Sequence, residues 1–374
     1  MIDEILLRNF KCFESASIPL RELTLLAGLN GMGKSSVIQS LLLLRQSYLD
    51  GLLPGTGLEL NGSLVQLGAA KDVFYEDAQG DEFEIGIAWS EGIRANFVLR
   101  YHRESDVLRL GGPCIPRECF DVPPFTDLFH YLRAERLGPR TANSASDFHV
   151  REHRQIGSSG EYAEHFLYEF GDQSVDERLL HGKDEPKNLR SQVQAWLHEV
   201  SPGTRLHLEI HRQMDIVNLQ YSFVTGDDRS NEYRSTSVGF GITYVLPVLI
   251  AALSARPGSL LIVENPEAHL HPQGQVRIGE LLVRAAATGV QVIVETHSDH
   301  VLNGLRLAVY GKMIDADRVA MHFFSRERDA GRTRSRFESP SINKDGRLDR
   351  WPDGFFDEWD KSLERLLSPA GQEV

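Results

Sequence analysis

Residues 28–35 read GLNGMGKS and match the pattern G-x-x-x-x-G-K-[ST] at every fixed position. Glycines at this spacing let the backbone turn tightly and point successive N–H groups at one phosphate group. The apolar run at residues 23–27 predicts a buried strand before the loop, and residues 36–48 predict a helix with one apolar face after it. A strand, a glycine loop and a helix N-terminus in this order form a phosphate-binding site, so residues 28–35 are named the phosphate loop.

The side chains of the phosphate loop predict a nucleoside triphosphate and its metal ion as the ligands. Lys34 can bridge the β- and γ-phosphates, and the Ser35 hydroxyl can ligate Mg²⁺. We therefore expect ATP and Mg²⁺ as cofactors. The predicted nucleotide contacts in this segment are Asn30, Gly31, Met32, Gly33, Lys34, Ser35 and Ser36.

The composition is that of a soluble globular protein. Apolar residues make up 41% of the 374 residues and charged residues 25%, which excludes a disordered, collagen-like or repeat-biased chain. The formal net charge of −13 argues against an unselective nucleic-acid coat, although it allows a local basic patch. Three cysteines cannot form a disulfide framework, and residues 1–15 lack the apolar core of a signal peptide or membrane anchor. We expect a cytoplasmic protein without membrane segments.

The predicted elements divide the chain into three parts. Residues 57–110 alternate apolar and polar positions with period two, which predicts an antiparallel meander. The final third returns to α/β alternation. Its predicted elements are a helix from residue 241, a strand at 260–263, a helix at 273–287 and a strand at 290–295. The middle is mixed, with a helix at 188–200 and strands at 205–211 and 217–224.

Four further motifs identify the kind of phosphate-loop protein. Residues 260–272 (LLIVENPEAHLHP) form an apolar strand that ends in acid, far along the chain from Lys34, whereas simple kinases and small GTPases place their acid much closer. Residues 292–300 (VIVETHSDH) follow, and residues 234–253 offer a glycine-rich turn that opens an apolar helix. With the opening strand at residues 6–14 (LLRNFKCFE), these segments resemble ATP-binding-cassette (ABC) ATPases of the RecF, SMC and OLD (overcoming-lysogenisation-defect) type.

The resemblance is closest to small bacterial AAA family ATPases of this group that end in a motif like WPDGFFDEW, here residues 351–359. It covers about residues 1–75 and 230–360 and implies an α/β P-loop NTPase of the ABC-ATPase type, with an antiparallel meander and an inserted mixed α+β region. The expected division is an N-terminal ATPase part (1–110), an inserted lid or partner region (111–230) and a C-terminal ATPase part (231–374).

The resemblance also implies roles for the acidic strand end. Glu264 is expected to hold Mg²⁺, directly or through water. The next position usually carries a catalytic Glu that orients the attacking water, but Asn265 stands there in this chain. Glu267 is the nearest carboxylate that could take the role, and Asn265 could instead position water without accepting a proton, so slow hydrolysis is expected. His297 resembles the switch histidine that reads the γ-phosphate, although a strand-end histidine with local partners is the alternative.

Residues 236–240 resemble the cassette signature loop, with Val238 and Phe240 in place of the usual Gly and Gln. In the family this loop completes the site of a partner subunit, which would bring Ser237 and Gly239 to its γ-phosphate; an ordinary helix cap is the alternative. The D-loop counterpart would be residues 269–272, and Gln66 is a candidate for a Mg²⁺-contacting glutamine.

Several remaining features can be interpreted either as ordinary structural elements or as functional sites. The basic run at residues 326–336 is either a solvated hairpin tip or a contact for nucleic acid or a partner. Arg133, Arg136 and Arg140 could form a phosphate-reading cluster or an ion-paired surface. A zinc site is not favoured, since the histidines near the acidic strands already belong to the nucleotide motifs. The C-terminal segment predicts an amphipathic helix whose apolar face carries Phe355, Phe356, Trp359, Leu363 and Leu366.

The resemblance implies an ATPase that forms a homodimer or higher homo-oligomer around ATP and controls a partner. The segment after His297 is too short for the Toprim nuclease domain of OLD proteins, so the effector, a nuclease or toxin, is expected to be a separate chain. Anti-phage defence is the favoured setting. The alternatives are a RecF-like ATP-gated DNA-binding protein of repair or recombination, and a standalone nuclease with an unrecognised site in the middle third.

Overall fold

The computed structural model describes residues 1–182, 185–226, 228–329 and 332–367. The strands are β1 Ile2–Phe10, β2 Phe13–Pro19, β3 Leu23–Gly28, β4 Gly57–Glu59, β5 Glu82–Trp89, β6 Arg94–Arg100, β7 Val107–Arg109, β8 Phe129–Leu132, β9 Asn143–Ser144, β10 Thr204–His211, β11 Ile216–Thr225, β12 Asp228–Arg229, β13 Tyr233–Arg234, β14 Leu260–Glu264, β15 Gln291–Glu295, β16 Val319–Asp329 and β17 Arg332–Glu338. The helices are α1 Lys34–Leu49, α2 Ala70–Val73, α3 Ala163–Phe170, α4 Leu189–Val200, α5 Phe240–Ser254, α6 Pro272–Ala287, α7 Asp299–Tyr310 and α8 Glu358–Leu367.

A six-stranded sheet with the order β17-β16-β3-β15-β14-β8 organises the molecule. All its neighbouring strands are parallel except β17, which pairs antiparallel with β16. Apolar side chains cover both faces, because Leu261 and Val263 of β14 belong to one hydrophobic core and Leu260 and Ile262 to the other. The phosphate loop leaves the carboxyl end of β3, the edge where open α/β sheets bind their ligands. The predicted α/β fold with an ABC-type phosphate loop is confirmed.

A separate antiparallel sheet with the order β2-β1-β5-β6 lies on the α1 side of the molecule. The predicted meander over residues 57–110 is therefore only partly correct, because β5 pairs with β1 from the N-terminus as well as with β6. The short strands β4 and β7 pair with each other in a two-stranded sheet. The apolar faces of β1 and β5 explain the arrangement, since Ile5 and Ile85 are fully buried.

The segment 111–230, expected to be inserted, contributes to the central sheet. Strand β8, at residues 129–132, pairs with β14 although it lies within 111–230, the segment expected to be inserted. The rest of this segment forms helices α3 and α4 and the sheet built on β10 and β11, and the helices pack against α5. The boundaries 1–110, 111–230 and 231–374 stay a prediction, but residues 111–230 share a hydrophobic core with the segments on either side.

Helix α5 is the most apolar element and lies inside the larger core. It runs through Pro247, and its residues from Val245 to Leu253 are buried. Its apolar character therefore serves packing against the central sheet. Within the described ranges, no helix combines the length and apolarity that crossing a bilayer requires.

The C-terminal helix begins later than the sequence pattern predicts. Phe355 is fully buried and precedes the helix, and Phe356 has a positive φ of 53°, so neither residue lies on a helix face. The helix α8 spans Glu358–Leu367, and its Leu366 is 81% exposed. The predicted apolar face is thus wrong for Phe355 and Phe356, whereas Leu366 lies on the helix but is exposed and does not pack in the core. The side chain of Trp359 lies outside the described part of the structure.

Candidate nucleotide site

The phosphate loop has the backbone conformation that its glycines permit. Gly33 has a φ of 115° and lies directly before α1, which begins at Lys34. Gly28 has a φ of 132°, and a Cβ there would lie 2.3 Å from the carbonyl oxygen of Phe324. Side chains at these two positions would clash or strain the backbone, so the loop depends on glycine to turn from β3 into α1.

Lys34 is held inside the loop by its own backbone. Its Nζ donates hydrogen bonds to the carbonyl oxygens of Gly28 (2.8 Å) and Leu29 (2.9 Å) and lies 3.9 Å from Oε1 of Glu295. Burial lowers the pKa of Lys34, and the charge of Glu295 opposes that shift. The ammonium group is thus fixed at the centre of the loop, where phosphate oxygens can replace the carbonyl oxygens as its partners.

A cavity of about 630 Å³ lies next to the loop and has a size that suits a nucleotide. Six of the predicted nucleotide contacts line it: Asn30, Gly31, Gly33, Lys34, Ser35 and Ser36. Met32 instead packs against the core that contains α1. Lys11 and Lys71, which sequence reasoning did not select, line the same cavity. The cavity therefore offers amide and ammonium donors suited to phosphates, and the individual contacts with ATP stay predictions.

Glu295 is the carboxylate that faces the phosphate loop. Its Oε1 and Oε2 accept hydrogen bonds from the Ser35 hydroxyl at 3.1 and 3.2 Å. Burial, followed by the charge of Glu264, raises the pKa of Glu295 to about 7, while Lys34 and Ser35 oppose the shift. Sequence reasoning missed this residue because the segment 292–300 was interpreted for its histidine. The available signal was that Glu295, like Glu264, ends a short apolar strand pattern.

Glu264, the predicted Mg²⁺ ligand, is the register partner of Glu295 in the β14–β15 pair. The hydrogen-bond partners of its carboxylate lie on the opposite side of β14, toward β8. Its Oε1 accepts a hydrogen bond from the Tyr131 hydroxyl at 3.0 Å, and its Oε2 accepts one from the Ala134 N–H at 3.2 Å. Burial raises the pKa of Glu264, although these hydrogen bonds act against the shift. Strand β8 and the segment that follows it therefore orient this carboxylate.

The three predicted catalytic residues lie together beyond the strand ends. Asn265 has a left-handed φ of 44°, which asparagine tolerates better than most residues, and its N–H donates to the carbonyl of Glu295 at 2.8 Å. Glu267 accepts a hydrogen bond from the His297 N–H at 2.9 Å, while its other carboxylate oxygen is buried and has no hydrogen-bond partner among the described residues. Partial burial, with the charge of Lys34, lowers the pKa of His297. Glu267 therefore has one acceptor oxygen that the described residues do not use.

Arg136 fixes the backbone of the acidic strand end. The side chain is only 3% exposed. It donates hydrogen bonds to the carbonyls of Glu264 (2.7 Å), Asn265 (2.7 Å), Arg133 (3.0 Å) and Tyr244 (3.1 Å). Arg136 is therefore neither part of an ion-paired surface nor a phosphate contact at the cavity, which were the two alternatives that the sequence left open. Arg133 donates to the Ser158 hydroxyl at 2.8 Å.

The signature-like loop is exposed and lies outside the cavity lining. Ser237 ends a short 3₁₀ turn, and Gly239 precedes α5 with an ordinary φ of −65°. A Cβ built on Gly239 would meet no atom within 4 Å. Gln66 is also exposed and is not among the described residues that line the cavity. Their expected contacts with nucleotide or Mg²⁺ stay predictions.

Three arginines of the basic run at residues 326–336 have partners within the chain, and the side chains of residues 328–333 lie outside the described part of the structure. Arg334 forms an ion pair with Glu14 at 3.3 Å, and Arg336 forms one with Glu327 at 2.5 Å. Arg326 donates a hydrogen bond to the carbonyl of Gly31 in the phosphate loop at 2.9 Å. The hairpin therefore braces the phosphate loop, and these contacts favour the interpretation as a solvated hairpin over a nucleic-acid contact.

The donors at the sheet edge fit a magnesium ion. The Ser35 hydroxyl and the carboxylates of Glu295 and Glu264 are oxygen ligands of the kind that Mg²⁺ prefers. Within the described ranges, no cluster of three or more His, Cys, Asp or Glu side chains could hold a metal ion by itself. A magnesium ion here would therefore share its coordination with phosphates and water, as is usual at nucleotide sites.

Comparison with known proteins agrees with this geometry. Residues 23–303 match the model of the family described as "AAA domain, putative AbiEii toxin, Type IV TA system". The chain belongs to this AAA family. Residues 314–366 of this AAA protein also match a family described as a protein of unknown function (DUF3696). The search of curated proteins gave no significant match.

Solved structures support the same fold for this AAA protein. An SMC head bound to the C-terminal winged-helix domain of ScpA is 17% identical over 90% of this chain and 97% of its own, with a TM-score of 0.54. A Pyrococcus furiosus Smc head domain with an extended coiled coil, bound to the C-terminal domain of ScpA, is 15% identical over 98% of this chain and 99% of its own, with a TM-score of 0.52. At these identities the likeness concerns the fold, which is that of an SMC-like ABC-type ATPase head.

Proposed function

We propose that this AAA protein binds ATP with Mg²⁺, hydrolyses it slowly, and closes as a homodimer around it to control a separate effector protein. The phosphate loop, its cavity and the acidic strand ends support ATP binding. The single observation that carries the dimer is the exposed segment at Ser237 and Gly239, placed at the N-terminus of α5 and open to an approaching molecule. Such a helix end carries positive partial charge, which favours a contact with phosphate oxygens.

The chemistry of hydrolysis divides among the side chains of the sheet edge. Lys34 would hold the β- and γ-phosphates, with Ser35 and the neighbouring carboxylates holding the metal ion, which stabilises developing charge on the phosphates. Glu267 has one buried carboxylate oxygen that makes no hydrogen bond to the described residues, and in this proposal it orients and deprotonates the attacking water. Asn265 stands at the position where the family usually has a catalytic glutamate. Its amide can donate and accept hydrogen bonds but cannot take a proton from the attacking water, so slow ATP hydrolysis is expected.

The proposed effector is a toxin or nuclease in another chain, in anti-phage defence. The family's description names a toxin of a type IV toxin–antitoxin system, which supports a defence setting. The link between residues 111–230 and the acidic strand end supports control by a partner, because Tyr131 of the buried strand β8 donates a hydrogen bond to Glu264. A partner bound to that region could therefore act through β8 on the acidic strand end.

The proposed dimer is tested by mixing two variants that are each expected to be inactive. Lys34→Ala removes the phosphate clamp, and Gly239→Asp places a carboxylate against the partner's triphosphate, where like charges repel. In mixed dimers one composite site stays intact, so ATPase activity should recover on mixing. Gly239→Ala is the matched control for size without charge: its methyl group meets no atom within 4 Å in the single chain, so folding and ATP binding by the monomer should stay nearly unchanged.

Light scattering supplies the second measurement. Glu267→Gln chains should increase in mass with ATP but not with ADP, and Gly239→Asp in that background should remove the increase while ATP still binds each monomer. Absence of recovered activity in mixtures shown to contain mixed dimers would contradict sites shared across chains. Wild-type ATP affinity in Lys34→Ala would contradict the nucleotide site itself.

A further inference from the structure

The carboxylate of Glu295 accepts hydrogen bonds from the Ser35 hydroxyl, the group with which phosphate loops bind Mg²⁺. Both carboxylate oxygens lie 3.1–3.2 Å from Oγ of Ser35. The position is fixed by the sheet, since Glu295 ends β15, which lies between β3 and β14. Its backbone carbonyl also accepts a hydrogen bond from Asn265 at 2.8 Å. The carboxylate is therefore placed by the fold rather than by a flexible surface loop.

The spacing of these oxygens matches neighbouring ligands of one magnesium ion. Octahedral Mg²⁺ has ligand oxygens at about 2.1 Å, so adjacent ligand oxygens lie about 3.0 Å apart. The Ser35 and Glu295 oxygens have this separation already. Glu264, by contrast, is turned toward Tyr131 and Ala134 on the far side of β14. We infer that Glu295 is a direct Mg²⁺ ligand beside Ser35, and that Glu264 acts from farther away.

The charges at the sheet edge support this assignment over a purely structural ion pair. Lys34 lies 3.9 Å from Glu295 and already donates hydrogen bonds to two loop carbonyls, so it neutralises the carboxylate poorly. A buried carboxylate without a close cation is costly, and a divalent ion offsets that cost. Before the metal arrives, the same negative charge repels the triphosphate of ATP. Glu295 should therefore weaken metal-free ATP binding and strengthen binding of the magnesium complex.

The inference rests on the proposed ATP site, and its test separates the two. ATP affinity is measured by calorimetric titration in EDTA and in excess Mg²⁺, without reference to turnover. Glu295→Gln should bind metal-free ATP more tightly than wild type, while the gain in affinity from Mg²⁺ should fall by about tenfold or more. Glu295→Asp keeps the charge but shortens the side chain, so it should reduce the gain from Mg²⁺ and leave metal-free binding unchanged. Glu164→Gln is the matched control, because Glu164 is also a buried glutamate but does not line the cavity, and it should behave as wild type.

The pattern of results decides the matter. Glu295→Gln with the wild-type gain from Mg²⁺ would overturn the inference while leaving the ATP site intact. Equal weakening of metal-free and metal-bound binding would also overturn it, because that result indicates a structural role. Wild-type protein that binds no ATP in either condition, or Lys34→Ala that binds as wild type does, would overturn the proposed function instead. Mn²⁺ substituted for Mg²⁺ gives a spectroscopic check, since its paramagnetic resonance in the ATP complex should differ between Glu295→Gln and wild type.

Discussion

Replacing Arg136 by methionine should disable catalysis while sparing ATP binding. The guanidinium donates four hydrogen bonds to backbone carbonyls, two of them at Glu264 and Asn265. Hydrogen bonds from a charged donor contribute about 1.5–3 kcal/mol each, or roughly 6–12 kcal/mol for four. Methionine fills much of the volume and removes a desolvation penalty of several kcal/mol, so a net loss of about 3–5 kcal/mol of unfolding free energy is expected.

The functional consequence follows from where those carbonyls lie. Without Arg136, the carbonyl of Asn265 loses a hydrogen bond and the backbone there can move. Glu267 and its contact with His297 would then shift, so kcat should fall by at least about tenfold. The phosphate loop has its own hydrogen bonds, so the ATP dissociation constant should change by less than about threefold. Urea denaturation measures the free energy of unfolding, steady-state kinetics measure kcat, and a binding titration measures the ATP dissociation constant. Arg133→Met is the control, because Arg133 does not contact the carbonyls of the acidic strand end.

Two outcomes would refute this reasoning. Arg136→Met with unchanged kcat and an unchanged denaturation midpoint would show that the strand end holds itself in place. An ATP affinity that falls as steeply as kcat would show that the arginine supports the whole site rather than its catalytic end.

The remaining predictions concern single acids and their partners. Glu267→Gln keeps an acceptor for the His297 N–H but cannot take a proton, so ATP turnover should slow while ATP stays bound. A normal turnover rate would indicate that Asn265 positions the attacking water instead. Tyr131→Phe removes the hydrogen bond to Glu264, about 1 kcal/mol, and should lower the denaturation midpoint slightly and raise the Mg²⁺ requirement for ATP binding, which a Mg²⁺ titration measures. Burial raises the pKa of Glu164 from an ordinary 4.5 to about 7, so the folded chain keeps a proton that the unfolded chain releases, and stability should fall by up to about 3 kcal/mol as pH rises across that window. Glu164→Gln should therefore match wild type near the lower end of the window and be more stable above it in urea denaturation, and equal pH profiles would contradict the burial argument.

The phosphate loop could be predicted from the sequence because its chemistry is local. Eight consecutive residues carry the glycines, the lysine and the hydroxyl, and the flanking apolar patterns give the strand and helix. Strands β14 and β15 could be predicted for the same reason, since a buried parallel strand is a short continuous apolar run. The late start of α8 could not, because the burial of Phe355 against Phe323 is a tertiary contact that overrides the helical pattern.

The partners of the acids could not be predicted because parallel sheets join residues that are distant in sequence. Glu295 meets Ser35 only because β15 lies next to β3, and nothing in either local pattern states which strands are neighbours. Arg136 and Tyr131 reach Glu264 because β8 joins the edge of that sheet from the middle third, where no motif marked it. The same topology explains why the middle third matters to the nucleotide site. It supplies the side chains that fix the acidic strand end, so the orientation of Glu264 depends on a segment that only the assembled sheet reveals as part of the site.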